Sequence, residues 1–199
     1  MVAGVRELAR DTVRIHVADA VYDHFLANGF AETTVEEAAK AAGISRATFF
    51  RYFNSKEDAV VAALQASQVE FGSQLGALIL REDDTAWALL RRAFEPMVLA
   101  AESDPARVRA KARMILSIPS LQSHLTERRS LQEDTLLDAL RASLDDELTR
   151  KVLVAAALAA FDLAWREWAS ESEAPLRGIL DGVFARLSDH FEVLAPAKL

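Results

Sequence analysis

The chain has 199 residues, 51% of them hydrophobic and 27% charged, with a formal net charge of -7. That is enough apolar residue for a sizeable core, and too much for a disordered chain. The absence of cysteine (Cys 0) removes disulfides, thiol nucleophiles and thiolate metal sites together, and Gly 7 with Pro 5 leaves too few turn-formers for a many-stranded β fold. The longest apolar run, Val152 to Phe161, is too short to span a bilayer. The opening residues MVAGVRELARDT lack the apolar region of a signal peptide. A soluble, cytoplasmic protein is expected. The acidity argues at first sight against a phosphate-backbone partner.

Helical periodicity runs through almost the whole chain. Ile15, Ala18, Tyr22 and Phe25 recur at +3, +4 and +3, one face of a helix that Gly29 is placed to end. Thr34-Val35-Glu36-Glu37 has the Ser/Thr-x-x-Glu form of a capping box. Val35, Ala38, Ala39 and Ala42 then give a short buried stripe, stopped by Gly43. Ser45 opens a third helix with Phe49 and Phe53 on its inner side, and Asn54-Ser55 breaks it. A longer helix is predicted from Ser55 to about residue 79, followed by a charged loop, 81–85, that separates a small N-terminal group from a larger bundle. Five more helices are predicted at roughly 85–102, 105–117, 119–143, 145–170 and 174–194. Pro105, Pro119 and Pro175 stand at helix entrances, and Pro96 inside a helical pattern predicts a kink or break. The fold class is all-α, about nine helices, divided into residues 1–60 and 61–199.

The stretch Thr33 to Val60, TTVEEAAKAAGISRATFFRYFNSKEDAV, has helix-turn-helix spacing: a short helix, a glycine turn and a second short helix able to enter a major groove. Arg46 offers a bidentate contact to guanine, Thr48 a hydrogen bond to base or phosphate, and Ala47 room for close approach. On spacing alone, a plain packing unit is an equal alternative.

The residues themselves resemble the DNA-binding signature of the TetR family of bacterial transcription regulators, over about residues 8–64. By that resemblance Thr34 matches a phosphate-contacting cap, and Ser45, Arg46, Ala47 and Thr48 match the front of the recognition helix. Phe50 stands where the family usually has tyrosine, exchanging a phosphate-bonding hydroxyl for an apolar contact. Tyr52 stands where histidine is frequent and keeps a hydroxyl for phosphate. Lys56 matches a phosphate-binding lysine, while Ile44, Phe49 and Phe53 match core positions. Arg51 is open between phosphate and packing. The Arg6, Arg10, Arg14 stripe is open between an arm on DNA and a solvated face paired with Glu7 and Asp11.

The resemblance implies that residues 61–199 dimerise and bind an effector. The segment 145–170, apolar nearly all round, contributes Ala156 and Ala160 as interface candidates. The segment 174–194 contributes Gly178, Gly182 and Val183, the glycines at a spacing that permits close helix approach. An intrachain core is the alternative. Phe71, Leu75, Trp87, Phe94, Met97, Met114, Phe161 and Trp165 are the candidates for an adaptable apolar pocket, each with ordinary core packing as its alternative. Arg107, Arg109, Lys111 and Arg113 form a basic face, either solvated or suited to an anionic effector. Residues 107–140 are also similar to the ligand domain of a TetR subgroup that includes mycofactocin-type regulators, which implies a long-chain acyl-CoA effector.

No nucleophile elbow, P-loop, GxGxxG or HExxH occurs, and the four histidines are scattered, so no enzyme, cofactor or metal site is expected. The expected function is a dimeric, ligand-responsive transcription repressor on a palindromic operator, with the helix that starts at Lys56 as the lever. The second reading is a helical small-molecule or lipid-binding protein whose helix-turn-helix no longer reads DNA. The net charge also divides along the chain: between positions 40 and 56 stand Lys40, Arg46, Arg51 and Lys56 with no acid among them. The recognition segment is therefore locally basic within an acidic protein.

Overall fold

The structure, a computed structural model, describes residues 5–66, 69–80, 84–170 and 173–188. Among these residues it contains eleven α-helices and no strand. In chain order they are α1 (Val5–Asn28), α2 (Val35–Ala41), α3 (Arg46–Tyr52), α4 (Lys56–Ala66), α5 (Phe71–Gly76), α6 (Ala86–Ala93), α7 (Glu95–Ser103), α8 (Pro105–Ser117), α9 (Pro119–Leu140), α10 (Glu147–Ala169) and α11 (Leu176–Ser188). The chain divides into two compact units, one of residues Met1–Gln68 with Ile118–Leu121, the other of Val69–Ser117 with Gln122–Leu199. No described helix is long and apolar enough to cross a membrane.

Two of the nine expected helices are each divided, which accounts for eleven. The segment expected to run from Ser55 to about residue 79 is α4 and α5. Before α5, Val69 and Glu70 are non-helical, and the buried Gln132 side chain bonds the backbone on either side of Glu70: the Phe71 N–H donates to its Oε1 at 2.8 Å, and its Nε2 donates to the Val69 carbonyl at 2.8 Å. The segment expected at 85–102 breaks between Ala93 and Glu95, with Pro96 in the first turn of α7, as its missing N–H requires. The helix expected at 105–117 is found at those bounds, while α9 stops at Leu140, three residues short of its expected end. The expected end of the last helix, 189–194, lies outside the described residues.

In the first unit α1 packs along α4 and α2, and α2 on α3. The core is Val17, Ala18, Val21, Tyr22 and Phe25 from α1, Ala38 and Ala39 from α2, Phe49 with Phe53, and the inner face of α4. Ile15, expected on the buried face of the first helix, is instead 38% exposed at the edge of that stripe, and Val17 and Val21 take the inward positions. Gly29 and Gly43 adopt φ of 87° and 70°, the left-handed conformation that ends α1 and turns α2 toward α3.

In the second unit α10 lies among α6, α8 and α11. Its core is aromatic. Phe94 stands between Phe71, at 4.7 Å and 90°, and Phe161, at 4.7 Å and 23°. Trp87 stacks on Phe184 at 4.4 Å and donates its indole N–H to the Phe184 carbonyl. Across the surface Arg177 pairs with Glu102 and Glu95, and Arg91 with Asp181 and Glu95, tying α11 to α6 and α7.

Candidate nucleic-acid interface

Both short helices are set by their caps. At α2 the expected capping box is present: the Thr34 hydroxyl accepts from the Glu37 N–H at 3.2 Å, and the Thr34 N–H donates to Glu37 Oε2 at 2.8 Å. The same Glu37 oxygen takes the Thr34 O–H at 2.8 Å, so this hydroxyl is engaged in the cap. Those hydrogen bonds, the backbone one first, hold the Glu37 carboxyl below its ordinary 4.5. At α3 the Ser45 hydroxyl accepts from the Thr48 N–H at 3.1 Å and donates to Thr48 Oγ1 at 3.0 Å. Phe49 and Phe53 are buried beneath α3 with their rings 5.2 Å apart.

With its inner face fixed by those two rings, α3 presents Arg46, Ala47 and Phe50 to solvent, with Thr48 and Tyr52 half-buried beside them. Ser45 stands exposed at the front. The expected recognition residues are thus gathered on one helix, clear of the core. Arg46 is not loose on this face. Its Nε lies 2.5 Å from Glu36 Oε1 on α2, and its guanidinium lies 5.0 Å from the centre of the Phe50 ring.

Two basic residues are committed inward. The Lys56 ammonium donates to the carbonyls of Phe30 at 2.6 Å and Thr33 at 2.9 Å and lies 4.6 Å from the Phe30 ring centre. Thr33 adds its own hydroxyl to the Gly29 carbonyl at 2.7 Å, so the α1–α2 connection is stitched from both ends. Arg14 Nε donates to the Tyr52 carbonyl at 3.4 Å, and the same guanidinium pairs with Asp58. Of the basic stripe on α1, Arg14 thus supports the end of α3, while Arg10 is exposed. Arg51 is exposed, with its guanidinium 5.3 Å from the Tyr52 ring centre.

In the second unit, Phe71, Leu75, Trp87, Phe94 and Phe161 come together in one buried cluster with Met97 and Trp165 packed at its margin. Met114 is buried on α8 apart from them. Of the basic face on α8, Arg113 caps the end of α10 through the Ala169 and Ser170 carbonyls, and Arg109 lies over the Trp168 ring. Among the interface candidates, Ala160 is buried within the chain's own core, Ala156, Gly182 and Val183 are half-buried, and Gly178 is exposed. A different row on α10 is solvent-facing and apolar: Leu148, Val152, Ala155, Ala159 and Leu163. Its spacing of 4, 3, 4 and 4 is present in the sequence, but the run Val152 to Phe161, apolar on every side, conceals which side the rest of the chain covers. Glu36 is likewise not legible there as a partner of Arg46, because nothing in local spacing pairs residues across a turn.

The described residues thus hold a capped helix-turn-helix in one unit and an aromatic-cored helical bundle in the other, the architecture of a helix-turn-helix regulator. Residues 18–63 match the family model described as bacterial regulatory proteins, tetR family, and residues 84–192 match the MftR C-terminal domain. The chain belongs to the TetR family of transcription regulators. It is 34% identical over 120 residues to the MftR transcriptional regulator of Mycobacterium tuberculosis, a match that covers 58% of this chain and 57% of that protein. It is 26% identical over 187 residues to the HTH-type transcriptional regulator TcmR of Streptomyces glaucescens, covering 88% of this chain and 81% of TcmR. Its fold is similar to that of FadR from Bacillus subtilis, solved in complex with stearoyl-CoA, with a TM-score of 0.53 and 19% identity over 87% of this chain and 96% of that one. The relatives are regulators and not enzymes.

Proposed function

We propose that the protein is a repressor that binds a palindromic operator as a homodimer, one α3 per half-site, and is released by a small apolar or amphipathic effector. Residues 1–60 read DNA and residues 61–199 dimerise and take the effector. The observation that carries this reading is the outer face of α3. Arg46, Ala47 and Phe50 are exposed on α3 and Ser45 at its N-cap, Thr48 and Tyr52 flank them half-buried, and Phe49 and Phe53 anchor the helix from beneath. Arg46 reads guanine, Ala47 permits close approach, and Phe50 meets an apolar base edge such as a thymine methyl. Thr34, Ser45, Thr48, Tyr52 and Lys56 contact phosphate, and these contacts position the helix without specifying sequence.

The dimer is supported by the apolar row on α10 together with the small-residue face of α11 around Gly178 and Gly182. Such a row, exposed on one subunit, is what a self-complementary two-fold interface buries. The effector reading is supported by the aromatic cluster, by the match to the MftR C-terminal domain and by the acyl-CoA held by the structurally similar FadR. A long-chain acyl-CoA is the effector we would try first. Release requires that it prefer the dimer spacing that does not fit the operator, since equal binding to both states shifts nothing.

The test is enrichment of duplexes from a random-sequence pool, with dimer mass read by light scattering. The expected product is a palindrome whose half-sites lie about one helical turn, ~10 bp, apart. It should be released by stearoyl-CoA and not by free coenzyme A. A folded dimer that enriches no duplex at low salt would instead support a small-molecule or lipid-binding protein with a silent helix-turn-helix.

A further inference from the structure

The carboxylate of Glu36, on the first turn of α2, touches the one arginine on the front of α3. Both side chains are largely exposed, 61% for Glu36 and 62% for Arg46, so neither packing nor burial forces them together. The contact is made at one edge of the guanidinium: Arg46 Nε is 2.5 Å from Glu36 Oε1. The flat face of the group is held as well. The Phe50 ring, one turn further along α3, lies 5.0 Å from the guanidinium carbon and is itself set edge-on against the buried Phe49 at 5.5 Å and 82°. One edge and one face of the Arg46 head are therefore engaged by neighbours in the absence of DNA.

We propose that Glu36 is a specificity-determining residue, which positions Arg46 to read a base and withholds it from phosphate. The inference rests on the reading of Arg46 as a base contact. Two donors at fixed separation are what the O6 and N7 acceptors of guanine require, and a guanidinium met by Glu36 at Nε still has the N–H groups of its two terminal nitrogens to offer. A phosphate asks only for positive charge, and the carboxylate beside Arg46 both offsets that charge and repels the phosphate. The same ion pair thus costs sequence-independent binding more than it costs base reading. Holding the side chain in its reading pose also lowers the ordering penalty at the moment of binding. Specificity of this kind is built partly from a repulsive element against the wrong partner.

The experiment uses the full chain and two probes: a duplex enriched from a random pool by the wild-type protein, and a scrambled duplex of the same base composition. Each is titrated over a range of salt. Glu36→Gln should bind the scrambled duplex more tightly without an equal gain on the enriched one, lowering the ratio of the two affinities about two- to fivefold, the size of an exposed ion pair's coupling. In an Arg46→Ala background the same change should no longer alter the ratio, since the partner is gone. Glu36→Asp keeps the charge but withdraws the carboxylate by one methylene, and should also lower the ratio. Equal gains on both duplexes, or a wild-type ratio in Glu36→Asp, would make Glu36 a through-space charge only and overturn the proposal. If Arg46→Ala alone leaves the ratio unchanged, or if no duplex is enriched, the base-reading role of Arg46 fails first and the proposal falls with it.

Discussion

The ammonium of Lys56, at the start of α4, sits 2.6 Å from the carbonyl oxygen of Phe30, in the turn that joins α1 to α2. With its second bond to Thr33 it closes a loop of chain 26 residues long onto the recognition unit. A lysine that only met phosphate would affect DNA affinity alone. Lys56→Met should therefore lower unfolding stability by about 1–3 kcal/mol as well, through the loss of charged hydrogen bonds. Urea unfolding without DNA measures this, and a wild-type midpoint would remove the tether.

Arg46→Ala should cost about 1–3 kcal/mol at one position of each half-site and relax specificity there. Affinity for single-base variants of the enriched duplex reads the effect. A uniform loss across all variants would make Arg46 a phosphate contact.

On α10, Val152 is 48% exposed and Leu148 72%. Val152→Asp should leave the fold of the isolated subunit intact and lower the dimer fraction, because a charge would then be buried between copies. Gly182→Leu tests the neighbouring helix. Among the described residues of the same chain a Cβ there meets only the flexible tip of Arg186, at 3.1 Å, so the added bulk falls mainly on a partner. Light scattering with an unchanged dimer mass for both variants would move the interface elsewhere.

Gly72 shows how closely α5 approaches α9. A Cβ at that position would lie 2.5 Å from the Thr135 backbone, and backbone cannot swing aside. Gly72→Ala should cost about 1–3 kcal/mol as overpacking. Gln132→Leu should cost a similar amount, about 1–3 kcal/mol, by orphaning the Phe71 N–H and the Val69 carbonyl. Denaturant midpoints near wild type would show that α5 docks by other means.

The Glu37 carboxyl, held below its ordinary 4.5 by Thr34, carries a sign in pH. A depressed carboxyl adds stability that is complete above the unfolded value and is lost as pH falls through the folded one. The α2 cap should therefore weaken below about pH 4.5, with loss of helicity and stability. Glu37→Gln, which keeps the cap's geometry but does not titrate, should flatten that part of the acid profile followed by circular dichroism. An identical acid profile in the variant would assign the loss to other carboxylates.

Local chemistry determined much of this protein within the sequence itself. The caps at Thr34 and Ser45, the glycine turns at 29 and 43, the Pro96 break and the aromatic anchors Phe49 and Phe53 depend on neighbours within a few residues, and each is legible in the order of residues alone. The helix-turn-helix and the exposed front of α3 follow from them. Tertiary structure alone decided the rest, because it depends on which groups from distant segments meet. At the break before α5 the Phe71 N–H is taken by Gln132, 61 positions away, and no pattern around Val69 announces it. That Lys56 is tied to Phe30 and Thr33, and Arg14 to Tyr52 and Asp58, is set by segments that the sequence does not place side by side. Within α10 the run Val152 to Phe161 is apolar on every face, so composition could not separate the side that the rest of the chain covers from the side left open. Only packing against α6, α8 and α11 makes that choice.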